Sequence, residues 1–412
     1  MSIDVKMAWR NIWRNPRRTI LTISAIAFAC LLLVFMLSFQ FGSYETMINS
    51  SVKIYTGHLQ VQSTGYQEKK SIRLVVPDPD AINKILDQIQ SVEAYTYRAE
   101  AFSLVSSKKR TYGSIIIGID PVKEAKVSTL KSLMRKGSYL AEDDTGQVLI
   151  GNLLAKNLKV GIQDELTILG QGRDGSIAAT VVKVKGIYSS GIDDLDRSSI
   201  HMPLKYFQDV YGMHGAVHEV VVIGKSLNKM GRIKAALFAG IKKTASKDRL
   251  VVLDWKELMP GLLQSIELDL ISGIIFYLFL ILVVAFSILN TFLMAIFERT
   301  REFGVLMAIG TTPGRLTKLL LIESISMTMI GIVAGIIMGS LITLYFQGHG
   351  IEISGTSDLL NQYGISGLIY PRLSLLSALS GPGAVFIITF LAALYPALKI
   401  RSLRPVEAMT YV

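Results

Sequence analysis

Four stretches of this 412-residue sequence are long and apolar enough to cross a lipid bilayer, and that limits the chain more than any other feature. A hydrocarbon layer of about 30 Å takes roughly 20 apolar residues as helix. Ile20 to Phe41, Leu270 to Phe297, Leu319 to Phe346 and Ser374 to Leu398 each supply them. Backbone in lipid must satisfy its own hydrogen bonds, so each run predicts one transmembrane α-helix. Hydrophobic residues make up 50% of the chain and charged ones only 18%, an apolar excess beyond that of ordinary soluble domains. The net charge of +11 could serve nucleic acid, but the basic residues are spread out and much of the excess flanks the apolar runs. That placement sets membrane topology and argues against a nucleic-acid partner. Cys30 is the single cysteine, which rules out an internal disulfide framework and any multi-cysteine metal site.

Lys6, Arg10, Arg14, Arg17 and Arg18 precede the first span; Arg299, Arg301, Arg315 and Lys318 separate the second from the third; Lys399, Arg401 and Arg404 follow the fourth. The link between the third and fourth spans carries only Arg372. The positive-inside rule therefore puts both termini in the cytoplasm. The expected plan is an interfacial helix over 1–19, a first span over 20–42, an extracytoplasmic domain over 43–268 and a second span over 269–297. A cytoplasmic segment over 298–318, a third span over 319–346, a short outer loop over 347–373, a fourth span over 374–398 and a cytoplasmic tail over 399–412 complete it. The first span, with "AFAC" at 27–30, is read as an uncleaved anchor, because the apolar run continues past Cys30 and Phe28 is bulky for a cleavage box. "DVKMAWRNIWRNPRR" sets Val5, Ala8, Trp9, Ile12 and Trp13 on one helical face. Such a helix lies in the headgroup plane among membrane lipids, with Trp9, Trp13, Arg17 and Arg18 at the interface. The same residues serve equally as a plain positive topology signal.

Between the first two spans the period changes. "VKIYTGHLQVQ" alternates like a strand, Asp78 before Pro79 starts a helix carrying Ile82, Ile85, Leu86 and Ile89, and "YTYRAEAFSLVSS" and "YGSIIIGID" flank the turn "KKR" as a strand pair. Further strand and helix signals extend to Trp255. The fold class expected is thus an α-helical integral membrane protein of four transmembrane helices, with a large α+β extracytoplasmic domain, of one or two subdomains, inserted between helices 1 and 2. "GKS" at 224–226 follows a strand, but Glu219 stands where a phosphate loop needs glycine. His214 and His218, with His201, have metal-type spacing, yet Gly212 and Gly215 break any helix there. "GIDDLDR" at 191–197 reads as a solvated acidic loop or docking surface. No metal site and no catalytic arrangement is expected.

"FERTREFGVLMAIGTTPGRL", residues 297–316, is the charged interruption between the second and third runs. Glu298, Arg299, Arg301 and Glu302 hold the end of the second span in water. Phe303, Val305, Leu306 and Ile309 are expected to cover one face of a short surface helix that also holds Gly304; Gly310 stops it, and Thr312 with Pro313 and Gly314 restarts a helix. Within the spans, Gly331, Gly335 and Gly339 leave a groove for close helix packing, expected against the fourth or second span, Asn290 is a candidate for an interhelical hydrogen bond, and Glu323 is expected to pair with an arginine of the 298–318 segment or to reach the interface alone. "GPG" at 381–383 and Pro396 should bend the fourth span.

"ERTREFGVLMAIGTTPGRLTKLLLIESI", "AWRNIWRNPRRTILTI" and "YPALKIRSLRPVEAMTY" resemble the coupling segment and the two ends of one ABC-transporter permease superfamily. It contains the macrolide exporter, the lipoprotein-releasing permeases and the cell-division permease. "YTGHLQVQSTGYQEKK" at 55–70 looks more like the lipoprotein-releasing branch, while Met307 stands where many members carry arginine. The resemblance implies a non-catalytic subunit of the bacterial cytoplasmic (inner) membrane, in which residues 298–314 take force from a separate ABC ATPase that binds ATP and Mg. It also implies a second permease subunit, identical or different, and mechanical transmission to the external domain. Lipoprotein cargo and a periplasmic carrier follow for that branch; export of a peptide or antibiotic, or activation of a cell-wall hydrolase, are the alternatives.

Overall fold

A computed structural model describes residues 3–243, 249–352 and 368–399. The tail beyond Lys399 and most of the 347–373 loop, with the basic residues Arg401 and Arg404, lie outside them. In chain order the elements are α1 (Ile3–Ile12), α2 (Pro16–Ile54), β1 (Leu59–Ser63), α3 (Tyr66–Lys69), α4 (Pro79–Leu86), β2 (Val92–Ser106), β3 (Thr111–Ile119), α5 (Pro121–Val127), β4 (Met134–Gly137), β5 (Gln147–Gly151), α6 (Asn152–Leu158) and β6 (Glu165–Gln171). There follow β7 (Ile177–Tyr188), α7 (Asp193–Ser198), β8 (Ser199–Pro203), α8 (Leu204–Tyr211), β9 (Glu219–Gly224), α9 (Met230–Ile241), β10 (Leu250–Asp254), α10 (Trp255–Leu258), α11 (Pro260–Ala308), α12 (Pro313–His349) and α13 (Leu375–Lys399). The chain divides into two compact units. Residues up to Tyr44, Ile266 to Ile351 and Leu368 onward form a membrane unit, and Glu45 to Ser265 form an inserted domain.

In the membrane unit α2, α11, α12 and α13 are each long and apolar enough to span a bilayer. Their mutual packing rests on small residues. A Cβ placed on Gly331 would lie 2.8 Å from Ile26, one on Gly335 would lie 2.5 Å from both Ala27 and Cys30, and one on Gly339 would lie 3.0 Å from Val34. The three glycines are therefore the surface on which α2 rests against α12, the partner being the first span and not the second or fourth. Ser38 and Ser377 share a buried hydrogen bond of 2.9 Å between α2 and α13. Helix α13 runs through Pro382 and Pro396 without interruption.

The sequence misplaced some boundaries. Val52 to Ile54, read as strand, close helix α2. Ile48 and Val52, four residues apart, are both buried, so helical period overrides their β-branched character. Gly57, at φ 71°, follows the end of that helix, and only Leu59–Ser63 is strand. Asp78 does cap α4, accepting from the Ala81 amide at 3.1 Å. The "DDLDR" stretch is the helix α7 and not a solvated loop. Its Asp196 is buried and accepts from the Ser190 amide and hydroxyl, both at 2.7 Å, which explains an acid in that position.

The inserted domain has two cores that share strand β2. The second half of β2 pairs β3 and β6; β3 pairs β8, β8 pairs β5, β5 pairs β7 and β7 pairs β6, so six strands close into a ring without a free edge. Ala101, Ile116, Ile150, Ile168 and Val182 fill it. The first half of β2 pairs β9, which continues to β1 and β10. Helices α4 and α9 cover this sheet through Ile82, Leu86, Ile233 and Leu237.

Gly335→Leu should drive α2 off α12, because the added side chain meets backbone and not a flexible tip. A loss of about 1–3 kcal/mol is expected, read as a lower thermal midpoint of the detergent-solubilised chain; Gly314→Leu, at an open position, should leave that midpoint unchanged.

Candidate coupling site

The charged segment 298–318 is not a separate surface helix. Nothing between Phe297 and Ala308 breaks a helix, and one glycine, Gly304, costs only about 1 kcal/mol there, so α11 continues unbroken to Ala308. It then stops in a tight turn. Gly310 takes φ 104°, its amide donates to Met307 and the Thr311 amide donates to Leu306, both at 3.0 Å, which closes a Schellman motif. Pro313 opens α12 at its first turn, but the Thr312 side chain makes no capping bond.

Because the helix is continuous, its faces follow a 3.6 period. Phe303 and Met307 are buried with Ile296, Leu316 and Leu320, and Leu306 packs beside them. Val305 and Ile309 point away, against the expectation that they share a face with Phe303. Ile309, beside the turn, is 78% exposed, and Arg301, Gly314 and Arg315 are exposed as well. Met307 fills an apolar core between α11 and α12, a position suited to an uncharged side chain.

Charge ties four elements together at this end. Arg14 donates both guanidinium nitrogens to Glu302, at 2.8 and 2.5 Å, and Arg18 donates to Glu298 at 2.9 Å. Arg299 reaches Glu302 at 3.5 Å and Glu323 at 3.2 Å, the second being the pair left open by the sequence. Asp4 of α1 meets Arg315 at 3.2 Å and Lys318 at 3.5 Å on α12. Helix α1 is thus tied to α12, and the link from α1 to α2 is tied to α11. It presents Ala8 and Ile12 to the protein, whereas Trp9 and Trp13 are exposed and meet edge to face at 6.2 Å, so the expected single apolar face is split in two. Arg17 is exposed. A polar cavity of about 220 Å³ lies inside the network, lined also by Asn11, Asn15 and Thr22. Asn290 is exposed and makes no hydrogen bond among the described residues, so the structure gives it no interhelical partner within the chain.

Sequence reading missed a buried ionic cluster in the inserted domain, because its members are scattered between Lys70 and Glu219 with no motif. Arg98 is fully buried and bonds Glu124 through two nitrogens at 3.1 and 2.6 Å, while its third donates to the Tyr55 carbonyl. Beside it stand Glu100, Glu219 and Lys70. His201 and His218 are buried near the cluster, and burial pushes both imidazoles down to about 4, so they are neutral near pH 7. His214 lies on the surface beside Asp209. Among the described residues no group of three or more His, Cys, Asp or Glu is disposed to hold a metal ion.

A four-span membrane unit with an α+β domain between spans one and two, and with its charge concentrated on one interspan turn, defines a multi-pass membrane protein of the permease type. The family models described as MacB-like periplasmic core domain and FtsX-like permease C-terminal match residues 19–237 and 274–405, so the chain belongs to the MacB/FtsX-type ABC transporter permeases. It is 22% identical to the lipoprotein-releasing system transmembrane protein LolC of Neisseria meningitidis over 75% of this chain and 76% of that one. It is 26% identical to the macrolide export ATP-binding/permease protein MacB of Nitrobacter winogradskyi over 96% of this chain but 58% of that longer one. An uncharacterised ABC transporter permease of Bacillus subtilis, YknZ, is 25% identical over 69% of this chain and 67% of its own. The relatives place the chain among ABC transporter permeases.

Glu124→Leu would leave the Arg98 guanidinium buried without its counter-charge. It is expected to cost about 3–5 kcal/mol, measured as a lower urea midpoint of the inserted domain's transition. Adding Arg98→Met to Glu124→Leu should recover much of that loss.

Proposed function

We propose that this chain is the force-transmitting subunit of an ABC transporter that releases lipoproteins from the cytoplasmic membrane. The observation that carries the reading is the turn between α11 and α12. It leaves Ile309 and Val305 exposed as apolar contacts on a helix end that also exposes Arg301 and Arg315, while ion pairs fix it to α1 and α2. A partner that pushes on Ile309 displaces α1, α2, α11 and α12 together. The partner in this reading is an ABC ATPase, which binds ATP and Mg, since the 412 residues hold no phosphate-binding loop. Both termini and the turn face the cytoplasm, as the distribution of arginine and lysine favours. The inserted domain faces the opposite side and there meets cargo and carrier. A second permease chain completes the assembly.

Support for lipoprotein as cargo comes from the LolC relatives, whose match extends over three quarters of both chains. Cargo co-purifying with a hydrolysis-dead complex tests it. An acylated protein is expected; free peptide or antibiotic, or a soluble hydrolase, would overturn the assignment.

Reversing Glu298 and Glu302 to arginine should leave ATP hydrolysis by the complex in place while transport per ATP falls about tenfold or more. Adding Arg14→Glu and Arg18→Glu should restore part of it by re-forming the pairs with opposite sign. Undiminished transport in the Glu298→Arg/Glu302→Arg chain would remove the coupling role. For orientation, a cysteine at position 309 should react with a membrane-impermeant maleimide only from the cytoplasmic side.

A further inference from the structure

The segment from Thr64 to Pro77 forms a strap over the sheet of the inserted domain. Gly65 enters it at φ 79°, α3 follows, and Lys70 leaves α3 in the left-handed region at φ 43°, ψ 38°. A lysine there costs about 1–2 kcal/mol relative to a right-handed residue, so something must hold it. Its ammonium sits 3.0 Å from Glu219 and 3.4 Å from Glu100. The strap's far end is fixed by Val76, whose amide donates to the Val217 carbonyl at 2.7 Å.

The groups facing these two carboxylates come from every surrounding element. Tyr55, just past α2, and Tyr66 of α3 both donate to Glu100, the latter at 2.9 Å. The Glu100 amide donates to His218 Nδ1 at 2.8 Å, which leaves Nε2–H for the Ile72 carbonyl of the strap at 3.1 Å. Tyr66 stacks on the His218 ring at 4.9 Å. Gln62 of β1 donates to Glu219 at 3.3 Å, and Arg98 stands nearby on β2, already neutralised by Glu124.

Counting charge among the described residues, Glu100 and Glu219 face one cation not already paired elsewhere, Lys70. With both ionised, a site whose Glu219 side chain is 1% exposed would hold a net negative charge. Two buried acceptors there are unsatisfied: Glu219 Oε2 and Gln62 Oε1. A proton on Glu219 neutralises the excess and turns one orphan acceptor into a donor.

We propose that Glu219, poised against Glu100 and Lys70, is a proton-binding site, and that its bound proton keeps the Thr64–Pro77 strap closed over the sheet. Electrostatics agree with the geometry. Burial, then the Glu100 charge, push Glu219 up to about 7. Glu100 is also opposed by burial, but Lys70 and the two phenols outweigh that and hold it below its ordinary value. An acid raised on folding binds its proton more tightly in the folded state. The stabilisation is full below the unfolded carboxylate range near 4.5 and is lost as pH rises through about 7.

The test is hydrogen exchange, followed by mass spectrometry on the full chain in nanodiscs between about pH 5 and 8.5 and corrected for intrinsic rate. In the wild type, protection of peptides within 64–77 should fall by up to tenfold per pH unit between about pH 5 and 7, the limiting slope of one-proton linkage, and level off above about pH 7, where the closed strap has itself lost the proton. In Glu219→Gln, which carries the donor permanently, protection should be independent of pH. As a second measurement, infrared spectra at pH 6 should show a protonated carboxyl stretch that Glu219→Gln removes. Equal pH dependence in the two proteins, or no such band, would overturn the proposal. Neither readout depends on cargo, ATPase or membrane orientation.

Discussion

Lipid offers no hydrogen bonds, and the membrane unit follows from that. Each apolar run must be helix from end to end, and where helices meet they gain little from hydrophobicity, since lipid is as apolar as leucine. Association then depends on close approach, which Gly331, Gly335 and Gly339 allow against α2. It depends also on polar groups that have nowhere else to go. Glu323 sits within an apolar run with 9% of its side chain exposed, and Arg299 is the cation that makes this tolerable. The pair joins α12 to α11 at the level where both leave the apolar layer.

The inserted domain solves a different problem. Its longest strand, β2, serves a closed ring with one half and an open, helix-covered sheet with the other. Where the two halves meet, at Arg98 and Glu100, the interior is ionic and not apolar. Such a junction is costly to bury and intolerant of a missing partner. It explains why tyrosines, histidines and glutamines, and not leucines, gather around these residues.

The spans, the inserted domain and most of its elements were legible because hydrophobic period reports burial directly. Errors came where period and propensity disagreed. Val52 and Ile54 look like strand yet close a helix in which Val52 shares a buried face with Ile48. At the coupling turn the Gly310 stop and the Pro313 restart were readable, since φ above zero and a missing amide are properties of single residues. That α11 runs straight into the turn was not, because an apolar stripe can be satisfied either by a membrane surface or by a neighbouring helix. Phe303 and Met307 found the neighbour, α12. The Arg98–Glu124 and Glu100–Glu219–Lys70 groups left no trace in sequence, being assembled by strand pairing over long separations.

The ion pairs around the turn deserve their weight judged by magnitude. Arg14 and Glu302 are both substantially exposed, as are Arg315 and Lys318. Exposed pairs contribute about 0–1 kcal/mol each, so together they add little to stability, and apolar packing at Ile296, Phe303, Leu316 and Leu320 must do most of the holding. What the charges supply is register. Asp4 accepts from two cations on α12, and Glu302 from one on the α1–α2 link and one on α11. A network of this kind fixes which groups stay in register while adding little to the cost of separating them. A core of matching strength would hold the helices equally well and leave α1 free to slide.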